Sequence, residues 1–230
     1  MSTRTAGAVV LTFVALGIAG CGEGSTAAWA EPKRSASAAP TAGSPSPSVD
    51  RAALQEKAKA ATVAPKGFAG IGISANPKDD KPVTYNLTLA CGQQPDADKN
   101  SVRVSYNRTW SATGWWVSNT AHAYGTATGA DAVKQAQAAV ESCKTYTGSD
   151  GEHTMLGPVK LPQYQGVEAG YGYCQRIKRT DATYVSCLAF LAKSNLVSSV
   201  WVVHGATQQT NSTGLTTVAA VAADALRKAA

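Results

Sequence analysis

The chain offers few residues able to do covalent chemistry, and their spacing limits what they can do. No HExxH, GxSxG, P-loop or GxGxxG pattern occurs in its 230 residues. The common signatures of zinc proteolysis, serine hydrolysis and nucleotide binding are therefore missing. Asp96, Asp98 and Asn100 begin like a calcium loop. Ser101, however, stands where such a loop needs Gly, and Asn107 where it needs a bidentate Glu, so a polar turn is expected there. Asp150, Glu152 and His153 gather two carboxylates and an imidazole, but neighbours on one short segment cannot all converge on one ion. His122 and His204 fall near the ends of corresponding strands in the two halves and meet only if those strands are neighbours. The aromatic set is richer: Tyr106, Trp110, Trp115, Trp116, Tyr171, Tyr173 and Trp201. Trp115 and Trp116 are consecutive, so on a strand they point to opposite faces. Tyr106, Trp110, Trp116 and Trp201 are the candidates for the wall of a groove between sheet and helices, with Arg108 and His204 for polar contacts at its rim. Rings of this kind suit sugar or lipid. No catalytic residue, metal site or cofactor is expected.

The five cysteines divide by position. Cys21 follows Ile18-Ala19-Gly20, preceded by Arg4 and a 13-residue apolar run over 6–18. This closely resembles the bacterial lipobox, in which the Cys is diacylated and becomes the mature N-terminus. Residues 1–20 are thus expected to be a lipoprotein signal peptide, too short in its apolar part to span a bilayer. Acyl chains on Cys21 would anchor the chain firmly, since each buried CH₂ adds about 0.8 kcal/mol. Cys91, Cys143, Cys174 and Cys187 remain, and four cysteines in an exported domain imply two disulfides among three possible pairings.

Composition agrees with one exported globular domain. The chain is 44% hydrophobic and 16% charged, ordinary globular material. Its net charge is +6, or +5 once Arg4 leaves with the signal. The basic residues are scattered, Arg176, Lys178 and Arg179 being the tightest group, and no nucleic-acid module motif accompanies them, so nucleic acid is not an expected partner. Of the 28 residues over 22–49, 22 are Ala, Ser, Pro, Gly or Thr. Residues 21–49 therefore read as a disordered tether, spanning roughly 30 Å r.m.s. as a flexible coil.

Residues 50–230 carry the periodic patterns. Asp50 caps an expected helix over 51–61, ended by Pro65 and Gly67. Residues 77–82 read as a charged turn. Alternation predicts a strand over 85–91 ending at Cys91, then a hairpin of 102–110 and 115–124 around a turn at 111–114. Thr128 and Asp131 form a capping box. Val133, Ala136, Val140 and Cys143 then share one helical face, which turns Cys143 inward. The second half repeats the plan: a strand up to Cys174, strands over 183–191 and 196–204, and a final helix opening at Thr213. The pattern predicts an α+β domain, an antiparallel β-sheet with helices packed on one face. Cys174 and Cys187 lie equidistant from Thr180-Asp181. A hairpin turning there sets them opposite each other within bonding range, which leaves Cys91 to pair with Cys143.

From about Cys91 to Ala229 the chain resembles the PknH-type extracellular sensor domain family, in its actinobacterial lipoprotein form. The residues carrying the resemblance are Ser105-Tyr106-Asn107-Arg108-Thr109-Trp110, Trp116-Val117, Ser142-Cys143, Cys174 with Cys187, and Ser194-Asn195-Leu196-Val197. The chain departs from the family at Glu141-Ser142, where Gln-Trp is frequent, and at Leu188, where Arg is usual. The resemblance implies a two-disulfide α+β fold with a binding cleft and no enzymatic activity. The expected function is that of a lipid-anchored lipoprotein at the extracytoplasmic face of the cell membrane. Its sensor-like domain would bind a cell-wall glycan, a lipid or an envelope protein non-covalently. A structural or protein-interaction module of the envelope is the alternative, and an exported hydrolase a third.

Overall fold

A computed structural model of the chain describes residues 48–73 and 76–230. Cys21 and nearly all of the tether lie outside them. Among the described residues the elements run α1 (Arg51–Ala61), β1 (Asp79–Val83), α2 (Asp96–Asn100), β2 (Arg103–Ala112), β3 (Trp115–Tyr124), α3 (Gly129–Glu141), β4 (Thr145–Gly148), β5 (Gly151–Val159), β6 (Ala169–Lys178), β7 (Thr183–Lys193), β8 (Leu196–Val203) and α4 (Gln208–Ala229). All eight strands form one antiparallel sheet in the order β1-β2-β3-β8-β7-β6-β5-β4. The two halves therefore join where β3 meets β8.

Local chemistry accounts for the helices. Asp50 accepts the amides of Ala52 and Ala53 at the head of α1, and Thr128 accepts the Asp131 amide at the head of α3. Thr207 does the same for Thr210, so α4 opens several residues before Thr213. Each such cap stabilises its helix by about 1 kcal/mol.

The sheet buries both faces. On one, Val117, Ala121, Cys187, Ala189, Val200 and Val202 pack under Leu54 and Ala58 of α1 and under Leu215, Val218, Ala222 and Leu226 of α4. On the other, Tyr124, Tyr171, Phe190 and Val197 pack under Ala132, Val133, Ala136 and Val140 of α3. The helices are thus divided between two faces, where the pattern predicted one. The reason is strand alternation: positions 187, 189 and 191 of β7 serve α4, and 190 and 192 serve α3. Because α3 is short, it covers only part of its face.

The disulfides join Cys91 to Cys143 and Cys174 to Cys187. Cys174 and Cys187 are direct partners across β6 and β7, with Cα atoms 4.0 Å apart.

Four local readings of the sequence are corrected. Residues 77–82 are no turn, since Asp79–Val83 pairs with residues 105–109 of β2 as the sheet's edge strand. Residues 85–91 form no strand. They are a loop that exposes Tyr85 and Leu89, buries Leu87 and ends in a 3₁₀ turn at Ala90–Gly92. The loop is held because the Leu87 amide donates to the Asp98 carboxylate (2.7 Å) rather than to a neighbouring strand. Residues 96–100 form the short helix α2, with Asp98 buried, rather than a polar turn. Residues 149–153 belong not to a loop alone but to the tight β4–β5 hairpin, which lacks the apolar alternation that would reveal it.

Candidate functional site

The part of the second face that α3 leaves open is a groove of about 660 Å³. Its floor comes from β2, β3 and β8. In-register pairing sets Asn107 opposite Thr120, Thr109 opposite Ser118, Thr120 opposite Ser199 and Ser118 opposite Trp201. Asn107 organises this floor. Its Oδ1 accepts from Ser118 Oγ (2.7 Å) and Thr120 Oγ1 (2.8 Å), while its Nδ2 donates to Thr109 Oγ1 (3.0 Å). One wall is the 84–89 loop, and the other is the β4–β5 hairpin with Tyr146, Asp150 and His153. The groove thus lies between sheet, loop and hairpin, not between sheet and helices.

Of the six residues expected at a groove, two line it. Trp116 and Trp201 are half-buried and meet edge to face, with ring centroids 5.1 Å apart. Trp201 Nε1 is buried with no hydrogen-bond partner. Tyr106, Arg108 and Trp110 lie on the opposite face, because they alternate with Ser105, Asn107 and Thr109 along β2. There they seat the chain that leaves α1. Arg108 donates to Asp80 (2.8 Å), Thr62 Oγ1 (2.8 Å) and the Val63 carbonyl (2.9 Å). Its guanidinium also lies over the Tyr106 ring. Trp110 Nε1 donates to the Pro65 carbonyl, and its ring meets Phe68 edge-on. His204 stacks on Trp115 at 3.6 Å and donates from Nδ1 to the Gly114 carbonyl, away from the groove. His122 and His204 do not meet: β3 and β8 are neighbours but antiparallel, so the two imidazoles fall at opposite ends.

The groove also contains residues that sequence reasoning passed over. Asn107, Thr109, Ser118, Thr120 and Ser199 read as the polar half of an ordinary alternation. Their one available signal was sharing a face with Trp116.

The titratable groups around the groove are held neutral or tied down. Burial lowers the His122 pKa to about 4, with Asp98 opposing and Arg103 assisting. Burial, with Asp150 adding to it, pushes the Tyr146 phenol up to about 12, and burial pushes Tyr173 up as well. Both phenols are therefore hydrogen-bond donors at neutral pH. His153 bridges Asp150 (2.8 Å) and Gln175 (3.2 Å) and stacks on Tyr146. Glu152 instead faces Lys178. Among the described residues, no three His, Cys, Asp or Glu converge as a metal site would require.

One pair has the residue types of an activated nucleophile. Ser105 Oγ lies 2.8 Å from His122 Nδ1. Its surroundings do not suit catalysis, since Ser105 is only 2% exposed and does not line the groove. A nucleophile must reach a bound carbonyl as well as its base.

No protein-family model and no curated protein matches the chain. Among solved structures it is similar to the extracellular domain of PknH from Mycobacterium tuberculosis, with 14% identity, a TM-score of 0.49, and coverage of 76% of this chain and 95% of that one. It is also similar to an uncharacterized protein from Mycobacterium smegmatis, the Rv0999 ortholog, with 15% identity, a TM-score of 0.39, and coverage of 72% of this chain and 84% of that one.

Proposed function

We propose that the chain is an extracytoplasmic receptor-like lipoprotein, anchored through acylated Cys21, whose groove binds a component of the cell envelope without chemically changing it. The observation that carries this reading is the groove itself: an open concavity with two half-buried tryptophans beside an ordered polar floor. The two disulfides suit an oxidising compartment, and the lipobox and tether suit a domain held off a membrane.

A second reading, a protein-interaction module, is favoured by one observation. Tyr85 and Leu89 on the loop wall are 55% and 52% exposed, the two large hydrophobics most open to solvent among the described residues.

Native mass spectrometry of the chain purified from its own envelope, beside Trp116→Ala and Trp201→Ala, tests the receptor reading. The wild type is expected to carry a non-covalent small-molecule mass that both variants lose while their circular dichroism stays unchanged. Equal adducts in all three proteins would refute the groove. Loss of a co-purifying protein on Tyr85→Ala or Leu89→Ala alone would favour the interaction module.

A further inference from the structure

The groove's lining also specifies the chemistry of its occupant, an inference that rests on the receptor reading above. We propose that it takes an uncharged, hydroxyl-rich ligand, a short segment of neutral glycan, rather than an anionic headgroup or polymer.

Charge is the first argument. The chain has 21 Lys and Arg and a net charge of +6, yet among the described residues no basic side chain lines the groove, and Lys81 and Arg103 at its margin are engaged by Asp79 and by Asp98 and Asn86. The ionisable carboxylates there are Asp79 and Asp150, and the imidazoles are His122 and His153. Lys81 and His153 already engage the two carboxylates. An anion entering would shed its hydration with no cation to receive it, a loss nothing in the lining repays. Phosphate recognition elsewhere relies on Arg, Lys or clustered backbone amides.

The floor supplies the second argument. Ser118 and Thr120 spend their hydroxyl protons on Asn107 Oδ1, and Thr109 donates to Ser118, so these three oxygens are left to accept from a ligand, while the Ser199 hydroxyl can donate as well as accept. An acyl chain laid along this floor would dehydrate it and return no hydrogen bond. Sugar hydroxyls exchange their water for matching partners. Beside these hydroxyls, on the same face of the sheet, Trp116, Trp201 and Leu188 give an apolar patch, and exposed Tyr85 stands on the loop wall. This is an amphipathic arrangement suited to a pyranose or furanose ring, polar at its edge and apolar on its face. A groove of about 660 Å³ lies within the roughly 300–1,000 Å³ of small-molecule sites.

The test is an intrinsic tryptophan fluorescence titration of the full chain with four probe sets. These are neutral sugars (free mannose and hexasaccharides of mannose, arabinose and glucose), mannose 6-phosphate, phosphatidylglycerol vesicles, and spermine. A neutral hexasaccharide is expected to shift the emission saturably, with mannose 6-phosphate no better than its neutral counterpart. Thr120→Val and Ser199→Ala, which remove hydroxyls with little change in volume, are expected to weaken binding roughly 3- to 10-fold each, as the loss of one or two neutral hydrogen bonds implies. Tyr106→Phe, on the far face, is expected to leave it unchanged. Silence from every neutral sugar overturns the inference. So does saturable binding of phosphatidylglycerol or spermine that Trp201→Ala abolishes, and that result leaves the receptor reading standing. If the mass carried by the natively purified chain is insensitive to Trp201→Ala, the receptor reading fails with it.

Discussion

Replacing Asp98 by Ala tests the account of how the groove keeps its wall. Asp98 is buried on α2 and holds three elements at once. Its carboxylate accepts the Leu87 amide of the wall loop at 2.7 Å and the Tyr124 hydroxyl of β3 at 2.8 Å, and it pairs with Arg103 of β2. Burial foremost, and the Asp98 charge after it, raise the Tyr124 pKa and keep that phenol a donor. Truncation removes a charge-assisted bond worth about 1.5–3 kcal/mol, strands the Tyr124 hydroxyl at about 1–3 kcal/mol, and leaves Arg103 largely buried without its partner. Breaking a buried pair from one side costs roughly 3–5 kcal/mol in all, so about 4 kcal/mol is expected. For roughly 180 residues at about 2.1 cal/mol/K each, that lowers the melting temperature by about 10 °C. Asp98→Asn keeps the shape but turns one acceptor into a donor, so its cost should fall between Ala and wild type. Thermal unfolding by circular dichroism measures the first number, and hydrogen exchange at the Leu87 amide reads the local effect on the wall. If Asp98→Ala melts within about 2 °C of wild type, or if Leu87 exchange is unchanged, Asp98 does not hold the wall.

Three further outcomes follow from geometry already described. Mild reduction of the native chain should open Cys91–Cys143 first, because Cys91 is exposed while Cys174 and Cys187 are fully buried. In the chain-entropy model the two closures contribute about 4 and 3 kcal/mol, and alkylation mapping that finds both pairs opening together would contradict the ordering. Stability should fall with acidity as pH drops from about 6.5 to about 4, since His122 is lowered to about 4 in the folded chain and the unfolded chain binds its proton first. The slope of up to about 1.4 kcal/mol per pH unit should disappear in His122→Gln, and persistence there would assign it to another group. Cys21→Ala should release the chain from membranes or leave an unprocessed precursor. Fractionation identical to wild type, with no lipid mass on either, would refute the anchor.

Much of the fold was legible because it is local. Cys174 and Cys187 flank a turn symmetrically, and a residue pattern alone fixes that pairing. The faces of the first hairpin were legible too, in principle. Any loop with an even number of residues around Thr113 and Gly114 puts Trp116 beside the odd positions of β2, hence with Thr109 and not Trp110. Aromatic character groups Tyr106 and Trp110 with Trp116, but parity along the strands separates them. Trp201 joins Trp116 only through the β3–β8 pairing, a contact between distant segments that no local pattern encodes. The walls were the least legible part. The 84–89 loop alternates like a strand but is bound by Asp98, and the β4–β5 hairpin is too short and too polar to show a period.

The two borders of the sheet bear on how copies of the domain tolerate one another. If Cys21 ties the chain to a surface, its neighbours are held in two dimensions, where collisions between exposed strand backbones are frequent. Unpaired strand edges invite strand-to-strand addition, and proteins blunt them with charge, proline and brevity. Here β1 reads Asp79-Asp80-Lys81-Pro82-Val83, which combines three consecutive charged side chains with a residue that cannot donate. At the other border β4 has four residues, and beyond its end the exposed flank of β5 continues through Pro158. Neither border offers a run long enough to template another chain, so crowding at a surface should leave the domains separate and their grooves open.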